Sequence, residues 1–346
     1  MKTKSRKVYL DLLKIISSFA VIAMHLCCVK EGSKINWAIF KIFNTLGNFA
    51  VPIFVMVSGA LLLNKNKKIT CKDIYLKYIP RVIISLCFVN FLIYIINSIL
   101  DCNFSVHYLF MSVINVFINN VPVPYWYIYM LIGLYIITPI LKSWINKTDE
   151  KIIEYYLLIF IAYRIIIYTL LNIPNLEIMS KFVSVYNSFQ LPLITGYCGY
   201  YVLGYYLDNK VFKKVNNKWL WAILVIFTII TCALELHFSS LNELSNGSSI
   251  ASDVFSINIF IISTLLFLCC KNSFTKDSNK FIFNISSKTY GIYLYHVLGL
   301  QLLSRFNVGR ENAFMYVIGC ATSIFIFSYI CTYLTQKIPI IGKYFK

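Results

Sequence analysis

In the stretch from Arg6 to His25, RKVYLDLLKIISSFAVIAMH, Asp11, Lys14 and His25 lie inside or at the edge of an otherwise apolar run. Charged side chains at the centre of a membrane helix cost about 2.5–3.5 kcal/mol on insertion scales, which makes such residues candidates for chemistry. Lys14 and His25 are eleven residues apart, three helical turns, so they share a face at roughly 100° per residue. Asp11 lies one turn before Lys14 on the same side. At about 1.5 Å per residue the polar stripe runs roughly 16 Å from ammonium to imidazole. The other reading of this helix is a lysine snorkelling to the inner headgroups and a histidine at the outer interface.

Lys77 and Arg81 are four residues apart at the entry to an apolar segment, in YLKYIPR, so they fall on one helical face where Lys72 can join them. Fixed cations there suit a phosphate-bearing ligand and suit anionic lipid headgroups equally. Arg164 stands roughly seven residues from the outer end of its apolar segment and needs an anion, a cavity or a long snorkel; Glu235 is a conceivable partner. Trp126, in VPVPYWYIYM, can stack on a sugar ring, whereas Tyr125 and Tyr127 beside it read as an interfacial aromatic belt. His296 falls near the middle of SSKTYGIYLYHVLGL with Tyr293 one turn earlier. It is either a buried, hydrogen-bonded helix contact or a site residue, and Tyr293 can donate to a buried neighbour or merely pack.

The elements that must position these residues follow from composition. The chain has 346 residues, 59% hydrophobic and 13% charged, with mean hydropathy +0.70, which excludes a soluble globular domain. It reads as a single all-α domain over 1–346, a polytopic membrane protein with about ten transmembrane segments: 8–28, 39–63, 78–100, 125–145, 152–171, 189–207, 219–236, 254–270, 289–304 and 313–334. The first is expected to remain as a span rather than be cleaved. In the second, Pro52 is expected to kink a helix that also carries Asn44, Asn48, Ser58 and Gly59. That helix either only packs or lines a polar cavity. The stretch with His107 reads as an outer-face or re-entrant helix.

Basic residues set the expected orientation. Segments assigned to the cytoplasm carry Lys2, Lys4, Arg6, Lys7, Lys65, Lys67, Lys68, Lys72, Lys77 and Arg81. They also carry Lys142, Lys147, Lys151, Lys210, Lys213, Lys214, Lys218, Lys271, Lys276, Lys280, Lys288, Lys337, Lys343 and Lys346. The outer segments carry Lys30, Lys34, Lys41, Lys181, Arg305 and Arg310. Both termini are therefore expected inside. The net charge of +18 fits this topology signal better than nucleic-acid binding. The eleven cysteines, including the adjacent pairs Cys27-Cys28 and Cys269-Cys270, show no metal spacing and no disulfide framework.

Six stretches taken in order, YLDLLKIISSFAVIAMH, VPIFVMVSGALLL, YLKYIPR, PYWYIYMLIGLYIITPIL, GYYVLGYYL and SSKTYGIYLYH, resemble the acyltransferase-3 family of integral membrane acyltransferases. The resemblance covers essentially the whole chain. The family's first-helix signature is an arginine, ten residues and a histidine; Lys14 stands at the arginine place and His25 at the histidine place. Lysine keeps the charge and loses the planar fork. Tyr125 stands where related members often carry a histidine. The resemblance implies a multi-pass enzyme of the bacterial cell membrane, moving an acetyl group from cytoplasmic acetyl-CoA to a hydroxyl of a cell-surface or lipid-linked glycan. By that analogy His25 is the general base, with an acyl-imidazole carrier as its other role. Asp11 and Lys14 orient the coenzyme or each other, Lys72, Lys77 and Arg81 hold its phosphates, and no metal takes part. Trp126, Arg164, Tyr293 and His296 fall to the acceptor side. Some relatives carry a fused extracellular domain; here the last span is followed directly by Phe345-Lys346, so the membrane part, or a separate extracytoplasmic partner, is expected to complete the transfer. Membrane lipids are the other expected partner, and nucleic acid is not. The rival readings are a transporter or flippase of a lipid-linked saccharide, a polysaccharide polymerase, and a membrane scaffold.

Overall fold

Apolar runs without internal breaks satisfy their own backbone hydrogen bonds as helices, the form a membrane-embedded chain requires. The computed structural model describes residues 7–27, 33–118, 121–173, 177–191, 195–210, 216–241, 253–275, 279–306 and 308–345, among which there is no β-strand. The topology residues Lys2, Lys4, Arg6, Lys30, Lys213, Lys214, Lys276 and Lys346, and Cys28, lie outside the described residues. Among the described residues seven helical stretches are long and apolar enough to cross a membrane: 8–26, 34–62, 71–100, 123–147, 150–171, 217–238 and 313–335. The remaining three expected segments fall on helices of 13, 17 and 16 residues, Tyr197–Asn209, Ile257–Ser273 and Thr289–Ser304. At about 1.5 Å per residue these reach roughly 20–25 Å, short of a hydrocarbon core of about 30 Å. Val106–Phe117, with an exposed His107, is shorter still.

The chain divides into two compact units. The first comprises 1–67, 140–286 and 309–321. It holds α1 (Val8–Leu26), α2 (Lys34–Gly47) and α3 (Ala50–Leu62). The expected kink at Pro52 is instead a helix break at Asn48–Phe49, four and three residues earlier. Pro52 thus lies in the first turn of α3, where backbone N–H groups have no intrahelical acceptor and its missing hydrogen costs little. α3 packs against a helix whose backbone approaches it closely, Tyr197–Asn209. A Cβ on Gly59 would lie 2.7 Å from the Tyr201 carbonyl carbon, and one on Gly204 would overlap the backbone of Met56. Small residues here replace side-chain interdigitation with backbone contact, the means by which helices associate where lipid removes the hydrophobic drive.

Two lysines counted as topology signals finish helices in this unit. Lys142 Nζ donates to the carbonyls of Asn64 at 2.5 Å and Leu62 at 3.4 Å, at the end of α3. Lys271 Nζ donates to the carbonyls of Leu207, Asp208 and Lys210 at 2.6, 3.2 and 2.9 Å, at the end of 197–209. These carbonyls have no intrahelical donor, and an ammonium there also meets the negative end of the helix dipole. Beside them the buried carboxylate of Asp208 accepts from Lys7 Nζ at 2.6 Å and from the Tyr9 hydroxyl.

The second unit comprises 68–139, 287–308 and 322–346. Its longest helix, Cys71–Leu100, opens on a capping box between Thr70 and Asp73 and then widens into a π turn over Ile74–Tyr78. Val106–Phe117 docks on it through Asn90 Nδ2, which donates to the Ser112 carbonyl at 2.5 Å, and the Tyr94 hydroxyl, which donates to the Ser105 carbonyl at 2.7 Å. At the C-terminal end of the same helix, Arg305 Nη1 and Nη2 meet Asp101 Oδ1 and Oδ2 at 2.6 and 3.0 Å.

Candidate active site

The first unit carries the stripe on α1. Asp11 is buried and ion-paired to Lys14 Nζ at 3.7 Å. A second hold comes from far along the chain: Ser286 Oγ, at the end of the short helix Lys280–Ser286 that lies against α1, donates to Asp11 Oδ1 at 2.6 Å. A buried carboxylate needs such donors, because unpaired it would cost several kcal/mol. His25 occupies the last turn of α1 and is half-buried. The turn is braced by α2: a Cβ on Gly47 would lie 3.0 Å from Met24 Cγ and 3.1 Å from the Ala20 carbonyl oxygen. The backbone of α2 therefore presses directly on the turn that carries the imidazole. Between Lys14 and His25, Ser17 Oγ is buried with no hydrogen-bond partner.

Arg164 also belongs to this unit, within the π-helical stretch Phe160–Ile167. Its partners are aromatic, Phe255 and Tyr168, and not Glu235. Glu235 is buried and faces Lys41 Nζ at 3.9 Å. Helix order in the sequence does not reveal which helix neighbours which, so the pairing on α2 could not be read from it.

The second unit carries the remaining candidates. Lys77 is ion-paired to Asp73 at 2.6 Å with its side chain 75% exposed, Lys72 is exposed, and Arg81 lies over the Tyr290 ring at 5.5 Å. Lys77 turns back along the helix to Asp73 while Arg81 faces Tyr290. Tyr125 and Tyr127 are buried rather than interfacial. The 3-10 turn Val123–Tyr125 directs Tyr125 inward, where its hydroxyl donates to the Leu294 carbonyl at 2.7 Å. The Tyr293 hydroxyl donates to the Pro124 carbonyl, which fixes the turn that precedes Trp126. Trp126 remains 40% exposed. His296 is fully buried and its Nδ1 faces the Tyr293 carbonyl. Among the described residues no three His, Cys, Asp or Glu side chains gather where a metal ion could be held.

Helices of this length and composition define a multi-pass membrane protein. The profile of the acyltransferase-3 family, an acyltransferase domain, matches residues 7–333, and the chain belongs to that family of membrane acyltransferases. No curated protein and no solved structure matches it. Two residues of the first unit escaped the sequence reading. Ser286 opens the SSKTYGIYLYH stretch but is an unremarked residue type, and Asp208 ends an apolar run, where a carboxylate could have been flagged as Asp11 was.

Proposed function

We propose that the protein is an O-acyltransferase of the cell membrane, in a bacterium, that moves an acetyl group from cytoplasmic acetyl-CoA to a hydroxyl of a cell-surface or lipid-linked glycan. The observation that carries this reading is the α1 stripe: a buried Asp11 held by Ser286 and Lys14, and a half-buried imidazole in the last turn of the same helix. Neutral imidazole at His25 takes the proton of the acceptor hydroxyl as its oxygen attacks the thioester carbonyl. The C–O bond forms, the C–S bond breaks, and the proton passes to the departing thiolate, so ester and free coenzyme thiol are the products. Asp11 and Lys14 orient the donor. Lys72, Lys77 and Arg81 meet its phosphates; the exposed Lys77–Asp73 pair is weak enough for a phosphate to displace the carboxylate. Trp126 offers its open face to a sugar, and Tyr293 and His296 hold the turn and helix around it. The termini lie in the cytoplasm.

Purified protein given acetyl-CoA and surface glycan should release coenzyme thiol and leave the glycan acetylated, heavier by the mass of an acetyl group. His25→Ala should abolish both while the protein still melts cooperatively. Saccharide translocation at an unchanged rate by His25→Ala, with no thiol release by the wild type, would establish a transporter instead.

A further inference from the structure

Arg164 lies in a π-helical stretch, a rare backbone form that recurs at functional sites. Its Cζ is 3.9 Å from the ring centroid of Phe255 and 4.5 Å from that of Tyr168, and these two rings stand 76° apart. The guanidinium thus rests in an aromatic corner. Ring faces stabilise its charge but supply no oxygen to its in-plane N–H groups, of which a guanidinium has five. Nη1 reaches the Tyr186 hydroxyl at 3.4 Å, the long end of the hydrogen-bond range, and Nε is buried with no hydrogen-bond partner. Among the described residues no carboxylate comes within 4.0 Å of it. Asp253, the acid that faces the same cluster, is engaged elsewhere: it accepts from the Tyr168 hydroxyl at 3.1 Å and the Phe255 N–H at 2.7 Å. Tyr186 is held in place by stacking on Tyr163, 4.3 Å between centroids and 13° between planes.

A permanently charged fork inside an apolar helix, seated between two rings with no described carboxylate within 4.0 Å, matches the oxygens of a carboxylate or phosphate. We propose that Arg164 anchors a binding site for an oxyanion, with the Tyr186 hydroxyl, which accepts from Nη1, donating its own proton to the same group. The inference rests on the acyl-transfer reading in one respect, that the oxyanion belongs to the acceptor: an acidic sugar, or the phosphate of a lipid-linked saccharide. The same chemistry could come from a phospholipid headgroup, and the test separates the two sources.

Wild type, Arg164→Lys, Arg164→Gln and Tyr186→Phe are purified in detergent and titrated calorimetrically with inorganic pyrophosphate and with glucuronate. Each is also melted in phosphatidylcholine nanodiscs with and without phosphatidylglycerol. Wild type is expected to bind a soluble oxyanion. Arg164→Gln should weaken it by roughly tenfold or more, the loss of one charge-assisted pair, with Arg164→Lys and Tyr186→Phe in between. Tyr186→Phe keeps the charge and the stacking ring, so it reports on binding even where Arg164→Gln does not fold. An Arg164-dependent melting shift that appears only with phosphatidylglycerol keeps the oxyanion site and overturns its assignment to the acceptor. Equal responses from all four proteins overturn the proposal. None of these readouts needs turnover, so a wild type that binds pyrophosphate yet releases no thiol would refute acyl transfer and leave the site standing.

Discussion

Ser286 donates a hydrogen bond to Asp11 at 2.6 Å across 275 residues of chain. It joins the cationic end of the α1 stripe to the short helix Lys280–Ser286, so the carboxylate that meets Lys14 is oriented by a residue from the far part of the sequence.

Ser286→Ala should therefore destabilise the protein by about 1–3 kcal/mol, since it leaves part of a buried carboxylate unsatisfied. Asp11→Asn keeps an acceptor for Ser286 and removes the charge that attracts Lys14. Its loss of melting temperature should be smaller than that of Ser286→Ala, while thiol release from acetyl-CoA falls in both. Thermal unfolding in detergent and an assay of free thiol check the pair.

Gly59→Ala and Gly204→Ala should each lower the melting temperature, because the added methyl meets backbone atoms that cannot step aside. Overpacking of this kind costs about 1–3 kcal/mol. Gly133 has nothing within 4 Å of its would-be Cβ, so Gly133→Ala is the control and should melt with the wild type or slightly above it.

Tyr125→Phe and Tyr293→Phe each remove a hydroxyl that donates to a carbonyl, Leu294 or Pro124, and should cost about 1 kcal/mol of stability apiece. Both loosen the turn before Trp126. The expected kinetic signature is a raised KM for the glycan with a smaller change in kcat, measured by varying acceptor at saturating acetyl-CoA.

The Arg305 fork holds the Asp101 carboxyl below the ordinary carboxylate range. A depressed carboxylate contributes stability above its unfolded pKa of about 3.9 and loses that contribution as pH falls through its folded value. Melting temperature should consequently drop on acidification below about pH 4, and Asp101→Asn should flatten that limb. The pair is exposed, so the difference should shrink in high salt.

The helical fold and the α1 stripe were legible because charged residues stand out in an apolar run and helical spacing says which of them share a face. The family followed from stretches spread along the whole chain. What stayed hidden required knowing where a helix departs from ideal geometry or which helices meet. Pro52 signals a discontinuity, but its place at 48–49 depends on where the next helix begins. Lys77 and Arg81 stand one turn apart, but their spacing does not say that one meets Asp73 and the other Tyr290. Tyr125 looks interfacial until Leu294 supplies its acceptor. Ser286 has no sequence signal at all until α1 is seen beside it.

The ammonium groups of Lys142 and Lys271 tuck under the last carbonyls of their neighbouring helices. Swapping these two for neutral residues in order to reverse how the polypeptide threads the bilayer would also unpick two helix ends from within. Lysines expected from the sequence to signal topology thus also cap helices, and testing that expectation without disturbing the fold requires choosing other lysines, such as the exposed Lys65.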